Sequence, residues 1–178
     1  MEQIDIDGTD IKLLNALQTD ASLSNQALAA LAHISPPTCL RRIKRLKDVG
    51  LIEREVALLN PDKLASITGH GLTAVVEISL DRQGDDHLSA FEQRVHLDAA
   101  VQQCYRTSPG PDFVLVVQMA DMPSYAALSQ RLFTSDANVR NVKAFFSIKR
   151  SKFDPKVLLA QGGLNSEVQH LKSTKVFR

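Results

Sequence analysis

Five cationic side chains, Arg41, Arg42, Lys44, Arg45 and Lys47, stand within seven residues, and no acidic residue interrupts them before Asp48. They follow Ser35-Pro36-Pro37-Thr38. Serine is a good helix cap, and proline fits the first helical turn, where a missing amide proton costs no intrahelical bond. Leu40, Ile43 and Leu46 recur at helical spacing and are expected to face inward. The pattern predicts a helix from Ser35-Pro36 to about Val49, stopped by Gly50. On that helix Arg41 and Arg45 lie one turn apart beside Thr38, with Arg42 flanking them. Guanidinium groups so placed suit base edges and phosphates together, and the uncovered amides at the helix start favour a phosphate. The candidate DNA contacts are therefore Ser35, Pro37, Thr38, Arg41, Arg42 and Arg45. Which arginine reads a base stays open, because the rotation of a helix in the groove is not set by sequence. The competing reading is a solvated basic face on a structural helix.

Two further helices are expected to position this one. The first starts at Asp7 or Thr9, carries Ile11, Leu14 and Leu17 with Leu13 widening the stripe, and ends at Thr19-Asp20. The second follows Ser24 and is built from Leu28, Leu31 and the small Ala27, Ala29, Ala30 and Ala32, which permit close helix approach. Only His33-Ile34 separates it from the basic helix. Three helices with so short a turn between the last two are the spacing of a helix-turn-helix. The run from Leu51 to Leu59 reads as a short hairpin or strand, hence a winged variant, followed by a linker that closes at Asn60-Pro61.

Composition narrows the function. The chain has 178 residues, 44% hydrophobic and 23% charged, so a packed core is expected and wholesale disorder is not. The net charge of +1 hides a division: 7 Lys/Arg face 8 Asp/Glu in residues 1–60, 5 face 10 in 61–139, and 9 face 2 in 140–178. Two cysteines, Cys39 and Cys104, make neither a disulfide scaffold nor a four-thiolate metal site. The five histidines lack metal-ligand spacing, so no metal and no cofactor are expected. The acidic N-terminus is not a secretory signal, and no apolar run approaches the roughly 20 residues of a membrane span, so a cytoplasmic protein is expected. Gly-x-Ser-x-Gly, P-loop and His-Glu-x-x-His motifs are missing, and Gly69-His70-Gly71 lacks the third glycine of a dinucleotide turn. No catalytic residue is assigned. The alternatives are a ligand-sensing oligomeric protein that does not bind DNA, and an amino-acid-metabolising enzyme.

The second half reads as β-α-β-β-α-β. Thr73 to Leu80 is a strand. Asp85 or Asp86 caps a helix carrying Leu88, Phe91 and Val95. Val101 to Thr107 is a strand with Gln103 and Tyr105 on one face and Cys104 on the other. Ser108-Pro109-Gly110-Pro111-Asp112 is a turn, and Phe113 to Met119 is apolar enough for a central strand. Ser124 begins a helix with Tyr125, Leu128 and Leu132, and Val142 to Lys149 is the last strand. Helices on one side of such a sheet leave its other face uncovered, which predicts self-association and, by two-fold symmetry, paired reading helices.

The run Ile34-Ser35-Pro36-Pro37-Thr38-Cys39-Leu40-Arg41-Arg42-Ile43-Lys44-Arg45-Leu46, then Gly50-Leu51-Ile52 and Ala57-Leu58-Leu59-Asn60-Pro61, resembles the leucine-responsive/asparagine-regulator (Lrp/AsnC) family of transcription factors over roughly residues 5–150. The resemblance implies an α+β protein with a winged helix-turn-helix over 1–60, a ferredoxin-like βαββαβ domain for dimerisation and effector sensing over 61–152, and a C-terminal extension over 153–178. It implies a sequence-specific regulator on double-stranded DNA, a homodimer or higher even-numbered oligomer, and an amino acid or related small-molecule effector. In that family the loop before the third strand carries a Gly-x-x-Asp pattern near the effector. Here Asp112 matches its end, but Pro109 occupies the glycine position and Gly110 is displaced by one. Ser108, Gly110 and Asp112 are the candidate effector contacts, and for Asp112 the competing role is bonding within the loop. The extension reads either as a frayed tail, with a turn of helix at Val157-Leu158-Leu159-Ala160, or as an added phosphate-facing segment.

Overall fold

The computed structural model describes residues 4–69 and 71–159. These fall into two compact units, one formed by residues 4–57 with 153–159 and the other by Leu58–Lys152. Gln161-Gly162-Gly163-Leu164, the basic end Lys172–Arg178 and Ala160 of the expected terminal helical turn lie outside the described residues.

The first unit contains three helices, α1 (Gly8–Thr19), α2 (Asn25–Ala32) and α3 (Pro36–Asp48). Of the two expected caps for α1, Asp7 is the one used, and Asp10 reciprocates on the Asp7 backbone in a capping box. Ser24 caps α2 and Ser35 caps α3. The turn between α2 and α3 hinges on His33, which takes the left-handed conformation that few non-glycine residues adopt. Asn25 Nδ2 reaches the Pro36 carbonyl at 2.9 Å and fastens the start of α3 to α2. The small core joins Leu13, Leu28, Ala29, Ala32 and Cys39, with Ile43 packed against them.

Two expectations change here. Leu40 does not face inward; it is 62% exposed, while Cys39 and Leu46 are fully buried. The inward stripe of α3 is Cys39, Ile43 and Leu46, a four-then-three spacing that follows the helical period better than two steps of three. The wing is the second change. Residues 51–59 carry no strand pairing among the described residues. A strand needs a ladder partner, and no described strand takes that place. Lys47 Nζ instead meets Glu55 at 2.8 Å across the stop at Gly50, whose φ is 75°. Residues 157–159 are not helical. The Val157 backbone instead exchanges two hydrogen bonds with the Gln18 side chain, at 2.6 and 3.2 Å.

The second unit begins with a helix that the linker reading did not anticipate, α4 (Pro61–Thr68), capped by Asn60. Then come β1 (Leu72–Leu80), α5 (Asp85–His96), β2 (Val101–Arg106), β3 (Phe113–Met119), α6 (Met122–Ser129), which runs into a π-helical turn at Gln130–Thr134, and β4 (Val139–Phe146). The sheet is antiparallel with order β2-β3-β1-β4. Three boundaries move from expectation. Gly84, not Asp85 or Asp86, occupies the cap position of α5. Asp121 caps the last helix, which therefore starts before Ser124. β4 starts at Val139 and ends at Phe146, because its register is set by pairing with β1 from Ala74↔Phe146 to Leu80↔Val139.

One face of the sheet is packed. Ala74, Val76, Ile78 and Leu80 of β1 and Phe113, Leu115, Val117 and Met119 of β3 join Phe91, Val95, Leu128, Leu132 and Phe133 in one buried cluster. Phe91 stacks on Phe113 at 4.7 Å. The opposite face presents Val75, Val114, Val116, Tyr105 and Phe145, with Val75 lying between Val116 and Phe145 in the register. Phe113→Ala removes a fully buried ring from the centre of the packed face. It is expected to lower the unfolding free energy by about 3–5 kcal/mol in urea titration, without loss of the α1–α3 signal if the two units unfold separately.

Candidate nucleic-acid interface and effector loop

The basic helix is held by charge as well as by packing. Asp10, in the first turn of α1, is 1% exposed, and a carboxylate so placed must be paired and hydrogen-bonded. It accepts from the Asp7 amide at 3.2 Å, from Arg42 Nη1 at 3.0 Å and from Arg45 Nη2 at 2.6 Å. Arg42 Nη1 also donates to Asp7 Oδ2 at 2.7 Å, and Arg45 Nη1 donates to the Asp5 carbonyl at 2.9 Å. The Asp10 and Asp7 carboxylates raise the Arg42 pKa above its ordinary value. The Asp10 amide and then the Arg42 guanidinium hold Asp7 below the usual carboxylate range.

The six candidate DNA contacts divide on this basis. Ser35 and Pro37 are exposed and Thr38 is half-buried, all in the first turn or cap of α3. The Ser35 and Thr38 hydroxyls lie 2.8 Å apart, and Ser35 Oγ accepts from the Thr38 amide at 3.4 Å. Arg41 is exposed, and no carboxylate among the described residues lies within ion-pair distance of it. Arg42 and Arg45 are brought together on the α1 side by Asp10, with side chains 27% and 42% exposed. Lys44 was not among the candidates; it is exposed and, like Arg41, forms no ion pair among the described residues. Its signal in the sequence was only membership of the basic run.

The three candidate effector residues sit together in the β2–β3 loop. The Ser108–Pro109 peptide is cis, and Gly110 has a φ of 128°. Ser108 and Gly110 are exposed, whereas Asp112 is half-buried. Its Oδ2 accepts from the Leu80 amide at 2.6 Å, and its carbonyl accepts from the Thr107 amide at 3.0 Å. Asp112 thus closes the loop and ties it to the end of β1. Ala144 packs against the sheet core.

Three reader helices in one unit and a four-stranded sheet backed by two helices in the other are the architecture of a bacterial-type transcriptional regulator with a separate ligand-binding module. Comparison with known proteins bears this out. Residues 6–47 match the AsnC-type helix-turn-helix domain and residues 73–157 match the Lrp/AsnC ligand binding domain. The chain belongs to the Lrp/AsnC family, whose members are sequence-specific DNA-binding transcriptional regulators. An HTH-type transcriptional regulator of Haemophilus influenzae is 31% identical, over 86% of this chain and 89% of its own. The DNA-binding transcriptional activator DecR of Escherichia coli K12 is 34% identical, over 83% of this chain and 95% of its own. A transcriptional regulator of Neisseria meningitidis, solved in complex with L-Met, superposes with a TM-score of 0.74 at 28% identity, covering 86% of this chain and 97% of that one. Among the described residues no helix is long and apolar enough to cross a membrane.

The depressed pKa of Asp7 gives the reader unit an acid limit. Its contribution is fully present above the unfolded carboxylate value of about 3.9 and is lost as pH falls through the lower folded value. In thermal melts followed by circular dichroism, Asp7→Asn is expected to melt below the parent chain at neutral pH. The two are expected to converge as the pH is taken below about 4.

Proposed function

We propose that this regulator inserts the N-terminal half of α3 into the major groove, with Thr38 and Arg41 toward base edges and Ser35, Pro37 and the first turn of the helix against a phosphate. Arg42 and Arg45 flank that surface. The observation that carries the reading is the exposed cationic face of α3, capped by Ser35, at the third position of a helix-turn-helix. A phosphate at the start of α3 gains from the positive end of the helix dipole rather than from free amides, since Pro36 and Pro37 carry no N–H, the Thr38 amide donates to Ser35 Oγ and the Cys39 amide to the Ser35 carbonyl. The protein acts in the cytoplasm, on DNA.

In this reading two chains pair through the open sheet face. Val75, Val114, Val116 and Phe145 give it an apolar centre, and Glu77 faces Lys143 across the β1–β4 pair. Burying that face in a two-fold dimer removes apolar surface from water and presents two reading helices to two half-sites. The effector is an amino acid or a close relative of one, held at the 107–112 loop, where Ser108 and Gly110 offer exposed hydrogen-bonding groups and Asp112 braces the turn. The relative bound to L-Met makes methionine the first compound to try.

A binding site selected from a random duplex library, followed by footprinting upstream of the gene with and without a panel of amino acids, tests the whole assignment. Arg41→Ala is expected to weaken binding to the selected site by about 1–3 kcal/mol, or five- to 150-fold, with relaxed preference at one position if it reads a base. A uniform loss across all sequences marks a phosphate contact, and unchanged affinity at physiological salt removes Arg41 from the interface. Val116→Asp places a charge at the centre of the open sheet face. It is expected to shift sedimentation toward the monomer and to weaken site binding while leaving the melting profile of each unit intact.

A further inference from the structure

Of the five cations on α3, three already pair with carboxylates of the same unit, Arg42 and Arg45 with Asp10 and Lys47 with Glu55. We propose that Asp10 is a positioning residue for DNA recognition. Its buried carboxylate withholds Arg42 and Arg45 from the phosphates, so that the DNA-facing charge of α3 is Arg41 and Lys44. This inference rests on the reading of α3 as the helix that enters the groove.

The geometry is reciprocal. Arg42 has its Nη1 shared between Asp7 and Asp10, and Arg45 has one Nη on Asp10 and the other on the Asp5 carbonyl. A phosphate would have to compete with charge-assisted bonds of 2.6–3.0 Å, one partner of which is 1% exposed. Arg42 Nε is buried and has no hydrogen-bond partner among the described residues. A cluster with an unsatisfied donor is a poor device for stability alone, since apolar residues often replace buried ion pairs without loss. What it does supply is direction. Two guanidinium groups on one shoulder of α3 are locked to the start of α1, which sets the rotation of α3 about its own axis. Arg41, at the rim of the cleft that holds these groups, and Lys44 stay exposed and form no ion pair among the described residues. Fewer mobile cations also means less sequence-independent attraction, which keeps the ratio of specific to non-specific binding high.

The test uses the full chain, the site selected from the random library, and an unrelated mixed-sequence duplex, with affinity measured across a salt series. Asp10→Asn keeps the size of the side chain but removes the charge that both arginines share, leaving Arg42 only Asp7 and Arg45 only the Asp5 carbonyl. It is expected to bind the unrelated duplex more tightly, to steepen the log-log salt slope by up to about 1.8 (about 0.9 for each new phosphate contact), and to lose discrimination. Asp10→Glu is expected to restore much of that discrimination, a rescue that simple loss of folding does not give. Arg45→Met leaves Asp10 paired with Arg42 and so keeps the unit folded. Its salt slope on the selected site is expected to equal that of the parent chain. A slope shallower by about 0.9 for Arg45→Met shows a phosphate contact and overturns the proposal even where Asp10→Asn fails to fold. A folded Asp10→Asn chain with an unchanged or shallower slope overturns it too. If the parent chain binds no duplex, the reading of α3 falls and this inference with it; parent binding with a shallower Arg45→Met slope removes the inference alone.

Discussion

A carboxylate at the start of α1 and two guanidinium groups on α3 share one buried meeting point, and the reader unit is arranged around that pairing. Asp10 is nearly inaccessible to water. Breaking such a pair from one side leaves the other charge uncompensated, at a cost of about 3–5 kcal/mol. The hydrophobic contribution of this unit is small, because few apolar side chains are buried in it: Leu13, Cys39 and Leu46 fully, with Leu14, Leu28, Ala29 and Ala32 nearly so. Short helices with alanine-rich contacts approach closely but bury little area each. Directional electrostatics therefore carries much of what fixes the orientation of α3 on α1.

The two units solve their polar problems in the same manner. In the reader, Asp7 caps α1 and reaches Arg42. In the sheet unit, Asp112 leaves its own loop to accept the Leu80 amide, Asp121 caps α6, and Arg106 of β2 meets both Glu92 and Asp85 of α5. Arg94 pairs with Asp136 and lies over the Phe91 ring, and Arg131 pairs with Asp98. The acidic middle third of the chain is thus largely invested in holding helices and loops to the sheet. What remains open is the apolar face of β1, β3 and β4, the face that we propose a second copy covers.

Much of the architecture was legible in the residue order. Ser24, Ser35 and the prolines after Ser35 marked helix starts where the structure has them, because capping depends on residues within three or four positions of one another. The apolar run Phe113–Met119 marked the central strand, because Phe113, Leu115, Val117 and Met119 fill the core while Val114 and Val116 line the open apolar face. The short helix α4 opens on the same cap-and-proline signal as α3, at Asn60-Pro61, a pair that also suits the close of a linker, and the ends of β4 were displaced because register belongs to the partner strand. The wing read from Leu51–Leu59 failed on the same ground, since β-forming residues make a strand only where another strand accepts the bonds.

For the site, local rules identified the basic helix, its cap and its family resemblance, all of which follow from spacing along one helix. They could not divide its cations. Arg42 and Arg45 differ from Arg41 through Asp10, more than thirty positions away in the chain, and a charge-charge contact at that separation exists only once α1 and α3 have packed. The sequence by itself determined which residues could meet DNA, because helical periodicity places them on a common side. Only the tertiary structure decided which of them are already occupied, because the partner carboxylate is buried by the folding of a different helix.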